Sequence, residues 1–294
     1  MAKKPTLDIV IPVYNEEMEL SDHIMTLIGF LHSYLSDFDW GITIADNAST
    51  DRTMEIARRL EKKYKEVKAL HTDEKGRGRA VKYAWLKSNA DIHCYMDVDL
   101  STDLKHLPPL VRSLMRGYDI AIGTRNAASS RVYGRGLLRT CTSKIYILLI
   151  KSVFWVRFSD AQCGFKAVTN RCAKKLLPEV KDNAWFFDTE FLILAEKLGY
   201  RIYEEGVTWI DNPGSTVRVV KTAQGDLEGL WRLFVTRPWT KLHKHHGRNY
   251  DIHLHLDGHN PLNRAEKRSP GSHPVHRGGE GRCLASEPLR LVPG

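Results

Sequence analysis

Cysteine is scarce in this sequence, and no cysteine pair has the spacing of a metal site. The 294 residues contain no CxxC pair and five cysteines: Cys94, Cys141, Cys163, Cys172 and Cys283. This pattern argues against a zinc site of the usual kind. An odd number of cysteines in a chain without an export signal is typical of reduced, cytosolic thiols, which excludes a disulfide-framework protein.

Long apolar runs are also missing. No stretch of about 18 uncharged apolar residues occurs, so no ordinary transmembrane helix is predicted. Met1–Pro5 leads directly into a strand-like segment and lacks the apolar core of a signal peptide. We therefore expect a protein that is made inside the cell and stays there.

The composition, 42% hydrophobic and 27% charged, excludes a collagen-like or wholly disordered chain. A chain of this length buries a core as one large α/β domain or as two small domains. The 44 Lys and Arg exceed the 35 Asp and Glu and give a formal net charge of +9. This excess favours anionic partners such as phosphates, anionic lipid or nucleic acid.

Up to Arg237, apolar strands alternate with amphipathic helices. We predict strands at Leu7–Val13, Ile42–Ala45, Val67–His71, Ile92–Met96 and Ile120–Gly123. Helices are predicted between them, at Leu20–Leu35, from Asp51 through Leu60, at Ala80–Lys87 and at Leu104–Met115. The alternation predicts an α/β fold with a mostly parallel sheet and helices on both faces. Ligands of such sheets bind beyond the carboxyl ends of the strands.

The composition changes at Pro238. Residues 238–294 contain eight of the 13 histidines and six of the 12 prolines, without apolar periodicity. We interpret residues 1–237 as the catalytic domain and residues 238–294 as a polar, poorly ordered tail. A histidine cluster in the tail is more simply a solvated segment than a metal site, because no scaffold would hold the ligands in place.

Two loops that follow predicted strands carry groups suited to a nucleoside. The first is Pro12–Glu17 and the second is Asp46–Asp51. Carboxylates accept hydrogen bonds from base N–H groups and ribose hydroxyls, and a tyrosine ring stacks on a base. Turn and helix-cap chemistry explains either loop equally well when it is taken alone.

A third loop, Glu74–Arg79, is basic and opens a helix. Its glycines allow a ligand to approach the backbone, and Lys75, Arg77 and Arg79 place positive charge at a helix N-terminus. That combination predicts an anion site. A solvated basic turn is the alternative.

The acidic pair Asp97 and Asp99 directly follows an apolar strand. Two carboxylates this close at the end of a buried strand are costly unless a cation lies between them. Carboxylate oxygens suit Mg²⁺ or Mn²⁺, which commonly bind substrate phosphates as well. The pair therefore predicts a divalent metal site.

Six motifs, taken together, resemble the family 2 glycosyltransferases, which have the GT-A fold. The motifs are Val10–Glu16, Asp46–Ser49, Asp97–Asp99, Gly123–Arg125, Asp160–Lys166 and Phe187–Glu190. The sequence is most similar to the polyprenyl-phosphate branch, which includes dolichyl-phosphate glucosyltransferases and dolichol-phosphate mannose synthases. The resemblance covers residues 6 to 236 and implies a single GT-A catalytic domain.

The resemblance also implies roles for individual residues. Asp97 and Asp99 would hold the metal on the diphosphate of a sugar nucleotide, and Ser101 stands where some relatives have glutamine. Arg125 and Arg139 match arginines that bind donor or acceptor phosphate, and Asp160 matches a carboxylate that acts as a base or orients the acceptor. The remaining residues assigned to the donor site are Pro12, Tyr14, Asn15, Glu16, Asp46, Lys75, Arg79, Gln162 and Arg218.

The implied activity is metal-dependent, inverting transfer of a hexose from a nucleotide sugar to a polyprenyl or dolichyl phosphate. UDP-glucose is the favoured donor and GDP-mannose the next. One alternative is a family 2 transferase with a saccharide or protein acceptor, and another is an inactive relative that binds nucleotide or lipid. Nucleic-acid binding is disfavoured because the body has a net charge of only +5 and no recognisable motif.

A lipid acceptor requires contact with a membrane. Leu137–Val156 is apolar and aromatic but carries Arg139, Lys144 and Lys151, a pattern that favours a helix lying on a membrane surface. A core helix is the alternative. Many members of the family continue into transmembrane helices, whereas this chain continues into the polar tail. We therefore expect peripheral attachment at the cytoplasmic face, and one interpretation adds a separate membrane-protein partner.

Overall fold

The computed structural model describes residues 3–211 and 219–242. Its strands are β1 (Thr6–Val13), β2 (Asp39–Asn47), β3 (Val67–Thr72), β4 (Ile92–Met96), β5 (Ile120–Thr124), β6 (Arg131–Tyr133), β7 (Phe165–Thr169), β8 (Ile202–Gly206) and β9 (Thr208–Ile210). Its helices are α1 (Leu20–Tyr34), α2 (Thr53–Lys63), α3 (Arg77–Lys87), α4 (Leu107–Met115), α5 (Leu137–Phe154), α6 (Asn170–Leu176), α7 (Phe187–Lys197) and α8 (Val219–Thr236). Single 3-10 turns occupy Leu104–His106 and Leu177–Glu179.

A seven-stranded sheet forms the centre, in the order β3-β2-β1-β4-β7-β5-β8. Neighbouring strands pair in parallel except at β7, which is antiparallel to both β4 and β5. A separate parallel pair joins β6 to β9. The expected α/β fold with a mostly parallel sheet is confirmed, and each of the five predicted strands is present.

The local sequence explains the first elements. β1 is almost continuously apolar because both of its faces are covered by helices. The apolar stripe of α1 (Leu20, Ile24, Leu27 and Leu31) is fully buried. Before α2, the Asp51 carboxylate accepts a hydrogen bond from the Thr53 N–H at 2.9 Å, while the N-cap residue itself, Arg52, makes no side-chain cap.

Apolar side chains form two layers, one on each face of the sheet. The first layer packs α1, α2 and α4 against residues such as Ile9 and Ile44. The second packs α3, α5, α6, α7 and α8 around Trp85, Tyr95 and Phe191. The helix predicted at Leu137–Val156 belongs to this second layer through Ile150 and Phe154. It ends at Phe154, because Trp155 is in the left-handed conformation (φ 53°).

The antiparallel strand β7 positions the residues that precede it. Because β7 runs against its neighbours, its first residue, Phe165, pairs with Met96, the last residue of β4. The loop from Asp160 to Gly164 therefore reaches the edge of the sheet at which β1, β2, β4 and β5 end. Two motifs far apart in sequence, Asp97–Asp99 and Asp160–Lys166, meet in this way.

Within residues 3–211 and 219–242, no helix is both long and apolar enough to cross a membrane. The four cysteines of that part, Cys94, Cys141, Cys163 and Cys172, are free thiols. The Trp239 ring packs edge-on against Phe154, with centroids 6.0 Å apart. Arg218 and residues 243–294, including the histidine cluster of the tail, lie outside the described residues.

His93 is a pH-sensitive element of the second layer. It is fully buried on β4, and neither ring nitrogen has a hydrogen-bond partner among the described residues. Burial lowers its pKa from 6.5 to about 4, and the charge of Lys174 lowers it further in the same direction. Below pH 6.5 the unfolded chain therefore takes up a proton that the folded protein does not.

We predict that the free energy of unfolding falls as the pH drops from about 6.5 to about 4, with a contribution from His93 of up to about 3 kcal/mol. His93→Leu should remove that part of the pH dependence, measured by urea unfolding at several pH values. His32→Gln, at an exposed position, is the matched control and should keep the wild-type slope. Equal slopes in the wild type and His93→Leu would contradict the prediction.

Candidate active site

The carboxyl ends of the parallel strands bring the predicted loops to one edge of the sheet. Val13, Asn47 and Met96 end the adjacent strands β1, β2 and β4, and Val13 lies beside Asp46 in the register. Each of these strands leads directly into one of the predicted motifs. This edge is the candidate active site.

Asp46 is buried at this edge, and one of its oxygens is unpaired. Its Oδ2 lies 2.6 Å from Nδ1 of His71, which is its neighbour in the parallel register of β2 and β3. Its Oδ1 has no hydrogen-bond partner among the described residues. A buried oxygen of this kind is suited to accept a hydrogen bond from a bound ligand. His71 is absent from the predicted site, although the register of two parallel strands would have indicated it.

Asn15 joins the first loop to the second. Its backbone is left-handed (φ 56°), a conformation that asparagine tolerates better than most residues. Its N–H donates to Ser49 Oγ at 3.0 Å, and its Oδ1 accepts from the Thr50 N–H at 2.8 Å. Asn15 therefore fixes the position of Tyr14 and Glu16, and its predicted donor contact stays a prediction.

Glu16 lies half-buried beside the acidic pair. Burial raises its pKa, and the negative charges of Glu19, Asp99 and Asp97 contribute to a value of about 7. Negative charge therefore accumulates at this edge of the sheet, as the sequence predicts. A cation bound here would relieve the repulsion.

The backbone of the basic loop is packed into the protein. The N–H groups of Gly78 and Arg79 donate to the carbonyl oxygens of Ala184 and Asn183 at 3.1 and 3.0 Å. A Cβ at Gly78 would overlap the Phe187 side chain. The prediction of an anion site at this helix N-terminus is wrong for these two amides, because both already donate hydrogen bonds to backbone carbonyl oxygens. The glycine at position 78 instead allows the Phe187 side chain to pack closely against the backbone.

The basic side chains of the loop take three different directions. Lys75 Nζ lies 3.3 Å from the centroid of the Tyr14 ring, on the predicted donor side. Arg79 pairs with Glu74. Arg77 points inward, and its side chain is only 12% exposed. The alternative of a solvated basic turn is therefore wrong for Arg77.

Asp97 and Asp99 leave β4 directly beneath the loop that precedes β7. The Asp97 N–H donates to the Gly164 carbonyl oxygen at 3.1 Å, and a Cβ at Gly164 would overlap the Asp97 carboxylate. Asp99 Oδ1 accepts from the Ser101 N–H at 3.0 Å. No group of three or more metal-binding side chains occurs in the described part of the chain. Two carboxylates together with substrate phosphate oxygens are nevertheless a common ligand set for Mg²⁺.

Asp160 and Arg125 form a buried, bidentate ion pair. Nε and Nη2 of Arg125 lie 2.8 and 2.9 Å from the two Asp160 oxygens. The carboxylate also accepts from the backbone N–H groups of Arg125, Gln162 and Cys163 at 3.0–3.2 Å. Burial acts to raise the pKa of Asp160, but Arg125 and these hydrogen bonds lower it to about 2. This favours an orienting role over a base.

A cluster of positive charge lies beside this ion pair. The guanidinium carbons of Arg125 and Arg135 lie 5.4 and 5.7 Å from the ring centroid of Trp209. Burial and the nearby Arg125 both lower the pKa of Arg135. Arg139, in the first turn of α5, lies 2.7 and 2.9 Å from the two oxygens of Asp211. Several guanidinium groups in one place suit a phosphate group. Arg135 and Trp209 are absent from the predicted site.

Gln162 faces α8. Its Nε2 donates to Asp226 Oδ2 at 2.8 Å. Burial and the charge of Asp182 raise the pKa of Asp226 to about 7. Gln162 therefore links the Asp160 loop to α8, and its predicted contact with the donor stays a prediction.

Asp188 is the centre of a buried charge network that the sequence does not reveal. Its carboxylate lies 2.7 Å from Arg77 Nη1 and 3.0 Å from Lys166 Nζ, and it accepts from the Tyr95 hydroxyl. Burial acts to raise the pKa of Asp188, and Lys166 and Arg77 lower it below its usual value. Both Asp188 and Glu190 lie in the first turn of α7, which has no side-chain cap, and Glu190 pairs with Arg232 of α8.

The chain matches a known enzyme family. Residues 8–176, more than half of the chain, match the family model described as glycosyl transferase family 2. The chain belongs to glycosyltransferase family 2. The family expected from the sequence motifs is thereby confirmed, and with it the assignment as a glycosyltransferase.

Curated relatives of this glycosyltransferase agree with the expected branch. Glycosyltransferase AglD of Haloferax volcanii is 33% identical over 221 residues, which cover 74% of this chain and 35% of AglD. The dolichyl-phosphate beta-glucosyltransferase of Drosophila melanogaster is 30% identical over 223 residues, which cover 71% of this chain and 68% of that protein. The chain thus spans about a third of AglD and about two-thirds of the Drosophila enzyme.

The fold of this glycosyltransferase is similar to that of glucosyl-3-phosphoglycerate synthase from Mycobacterium tuberculosis. A crystal structure of that enzyme with Mn²⁺, UDP-glucose and phosphoglyceric acid superposes with a TM-score of 0.56. The sequences are 15% identical, and the match covers 79% of this chain and 77% of the other. The likeness shows the fold, and the expected GT-A architecture is confirmed.

We predict that Asp160→Asn lowers glycosyl transfer by about 100-fold or more without recovery at high pH. The change removes the charge that holds Arg125 in position, and this is why the rate should fall. It also leaves Arg125 buried and poorly paired, which costs about 3 kcal/mol of stability. Rates should be measured from about pH 6 to about pH 9, together with thermal unfolding.

A double-mutant cycle with Arg125→Gln, made alone and combined with Asp160→Asn, tests whether the two residues act together. If the two residues act as a unit, the double variant is no worse than either single variant. A rate for Asp160→Asn that rises with pH toward the wild-type rate would instead show that the residue acts as a base.

Proposed function

We propose that the protein transfers a hexose from a nucleotide sugar to a polyprenyl or dolichyl phosphate, with UDP-glucose favoured as the donor and GDP-mannose next. The observation that carries this proposal is the edge at which Asp46, Asp97 and Asp99 meet the Arg125–Asp160 pair. The Drosophila relative is named a dolichyl-phosphate beta-glucosyltransferase, which supports the choice of acceptor. Residues 1–237 are the proposed catalytic domain and residues 238–294 a polar extension.

The donor nucleoside would bind where β1 and β2 end. The unpaired Asp46 Oδ1 accepts a base N–H, and the Tyr14 ring, with Lys75 against it, offers a stacking surface. Pro12 is the half-exposed, second-to-last residue of β1, and it and Glu16 would border the same place.

Asp97 and Asp99 fit a divalent ion, Mg²⁺ or Mn²⁺. Burial first, and the neighbouring carboxylates second, raise the pKa of Glu16 to about 7 at this acidic edge, and hard oxygen ligands suit these ions. When bound, such an ion neutralises the charge that develops on the leaving nucleoside diphosphate. The two aspartates would hold it, and Gly164 leaves the space that the Asp97 carboxylate needs.

The acceptor phosphate would bind in the cluster of Arg125, Arg135 and Arg139. A phosphate monoester is already anionic near neutral pH, so its oxygen attacks C1 of the sugar without a general base. The bond from C1 to the diphosphate breaks as the new bond forms, and the anomeric centre inverts. Asp160 then serves to keep Arg125 aimed at the phosphate, which agrees with its low pKa.

Exposed apolar side chains on α5 and α8 support attachment to a membrane surface. On α5, Ile145 and Leu148 are exposed, the latter by 67%, close to the exposed Lys144. On α8, Trp231 is 68% exposed and Val235 is also exposed. Apolar side chains next to lysine are typical of helices that lie on anionic membranes. We place the protein peripherally at the cytoplasmic face, and a separate membrane-protein partner stays part of the proposal.

A donor panel tests the reaction. UDP-glucose, GDP-mannose and UDP-GlcNAc, each labelled in the sugar, are incubated with polyprenyl phosphate and Mg²⁺ or Mn²⁺. We expect label in the organic phase with UDP-glucose, and loss of that label with EDTA or with Asp99→Asn. A water-soluble labelled product would support a saccharide or protein acceptor instead. Binding of UDP without any turnover would support an inactive relative.

Sedimentation with vesicles tests the membrane surface. We predict that the protein pellets with vesicles of equal parts phosphatidylcholine and phosphatidylglycerol at low salt. Leu148→Glu and Trp231→Glu should each weaken binding by about tenfold, because each removes a buried apolar contact with lipid. Met115→Glu is the matched control, since Met115 is exposed on α4, at the opposite face of the sheet. Wild-type protein left in the supernatant would contradict the proposed attachment.

A further inference from the structure

Arg77 contacts a proposed metal ligand from inside the protein. Its Nη2 lies 2.6 Å from Asp97 Oδ1, and its Nη1 lies 2.7 Å from Asp188 Oδ2. The guanidinium group thus bridges one carboxylate at the edge of the sheet and one in the core. Asp97 Oδ1 is engaged by this contact and Oδ2 lies against Gly164, while the Asp97 side chain as a whole stays 42% exposed.

Arg77 is held firmly in this position. Its guanidinium carbon lies 5.1 and 5.0 Å from the ring centroids of Tyr95 and Trp185. Asp188 is itself held by Lys166 and by the Tyr95 hydroxyl. Removing the guanidinium from this pocket would leave the buried Asp188 carboxylate with Lys166 but without its arginine partner, which is costly. We therefore expect Arg77 to stay in place when a metal ion binds.

The charges in this network already balance without a metal ion. Arg77 and Lys166 carry two positive charges, and Asp97 and Asp188 carry two negative charges. A divalent ion on Asp97 would therefore lie close to a fixed positive charge, with Asp99, two residues further along the chain, as a second carboxylate. The diphosphate of the donor supplies the negative charge that is lacking.

We propose that Arg77 is a positioning residue that makes metal binding depend on the nucleoside diphosphate. By pairing with Asp97 Oδ1 it offsets the charge of that carboxylate and weakens binding of the metal ion alone. Binding of the two ligands is consequently coupled, and by linkage each raises the affinity of the other. This inference rests on the proposed function, because it takes Asp97 and Asp99 as the ligands of a catalytic metal ion.

The test measures binding of Mn²⁺ and UDP by titration calorimetry, with free Mn²⁺ counted by electron paramagnetic resonance. We expect Arg77→Gln to bind Mn²⁺ alone at least about tenfold more tightly than the wild type, because a positive charge close to the ion is removed. The gain in Mn²⁺ affinity that UDP produces should shrink by the same factor.

Two controls separate the contact from its consequences. Lys87→Gln removes an equal charge from an exposed position of the same helix, α3, and it should change the affinity for Mn²⁺ alone by less than about threefold. Arg77→Gln combined with Asp188→Asn restores the charge balance of the core and should bind Mn²⁺ as tightly as Arg77→Gln. Thermal unfolding verifies that each variant is folded.

The outcomes distinguish this inference from the proposed function. If the folded Arg77→Gln variant, or the double variant, binds Mn²⁺ no more tightly than the wild type, the inference about Arg77 is overturned. Coupled binding of Mn²⁺ and UDP by the wild type would still support the proposed metal site. A wild-type protein that binds Mn²⁺ neither alone nor with UDP overturns the proposed metal site itself.

Discussion

The candidate active site depends on the pairing of buried carboxylates with buried cations. Asp160 is held by Arg125, and Asp188 by Arg77 and Lys166, all at or near the carboxyl edge of the sheet. An unpaired charge in these positions would be strongly unfavourable, because the surroundings are largely apolar. The pairs therefore allow a domain with two ordinary apolar layers to keep acidic residues at the edge where its ligands would bind. The acidic pair Asp97 and Asp99 lies at the exposed end of this arrangement.

One antiparallel strand makes these pairs geometrically feasible. Without β7 between β4 and β5, the residues before Phe165 would not return to the edge that Met96 reaches. Asp160 and Gly164 would then lie away from Arg125 and Asp97. The reversal of a single strand therefore brings the Asp97–Asp99 and Asp160–Lys166 motifs together, and Gly164 allows the close approach of the Asp97 carboxylate.

Local patterns in the sequence were sufficient to predict the parallel half of the fold. The apolar run of β1, the stripe of α1 and the position of Asp97 after β4 each follow from residues close in sequence. The roles of Arg77 and Asp188 could not be predicted in this way, because the two residues are 111 positions apart and meet only through packing of α3 against α7. The loop glycine Gly78 illustrates the same limit, since its neighbour Phe187 cannot be inferred from the loop. By contrast, His71 follows from the register of β2 and β3 and was predictable.

The two helices with exposed apolar side chains also contact the candidate active site. Arg139, in the first turn of α5, pairs with Asp211, and Asp226 of α8 accepts a hydrogen bond from Gln162, two residues after Asp160. A displacement of either helix would be transmitted to these polar contacts, because each contact joins a helix to a loop of the site. A surface that binds lipid and a site that takes a lipid phosphate would then share the same two helices. Under the proposed function, this arrangement would let the membrane present the acceptor without a separate element for its capture.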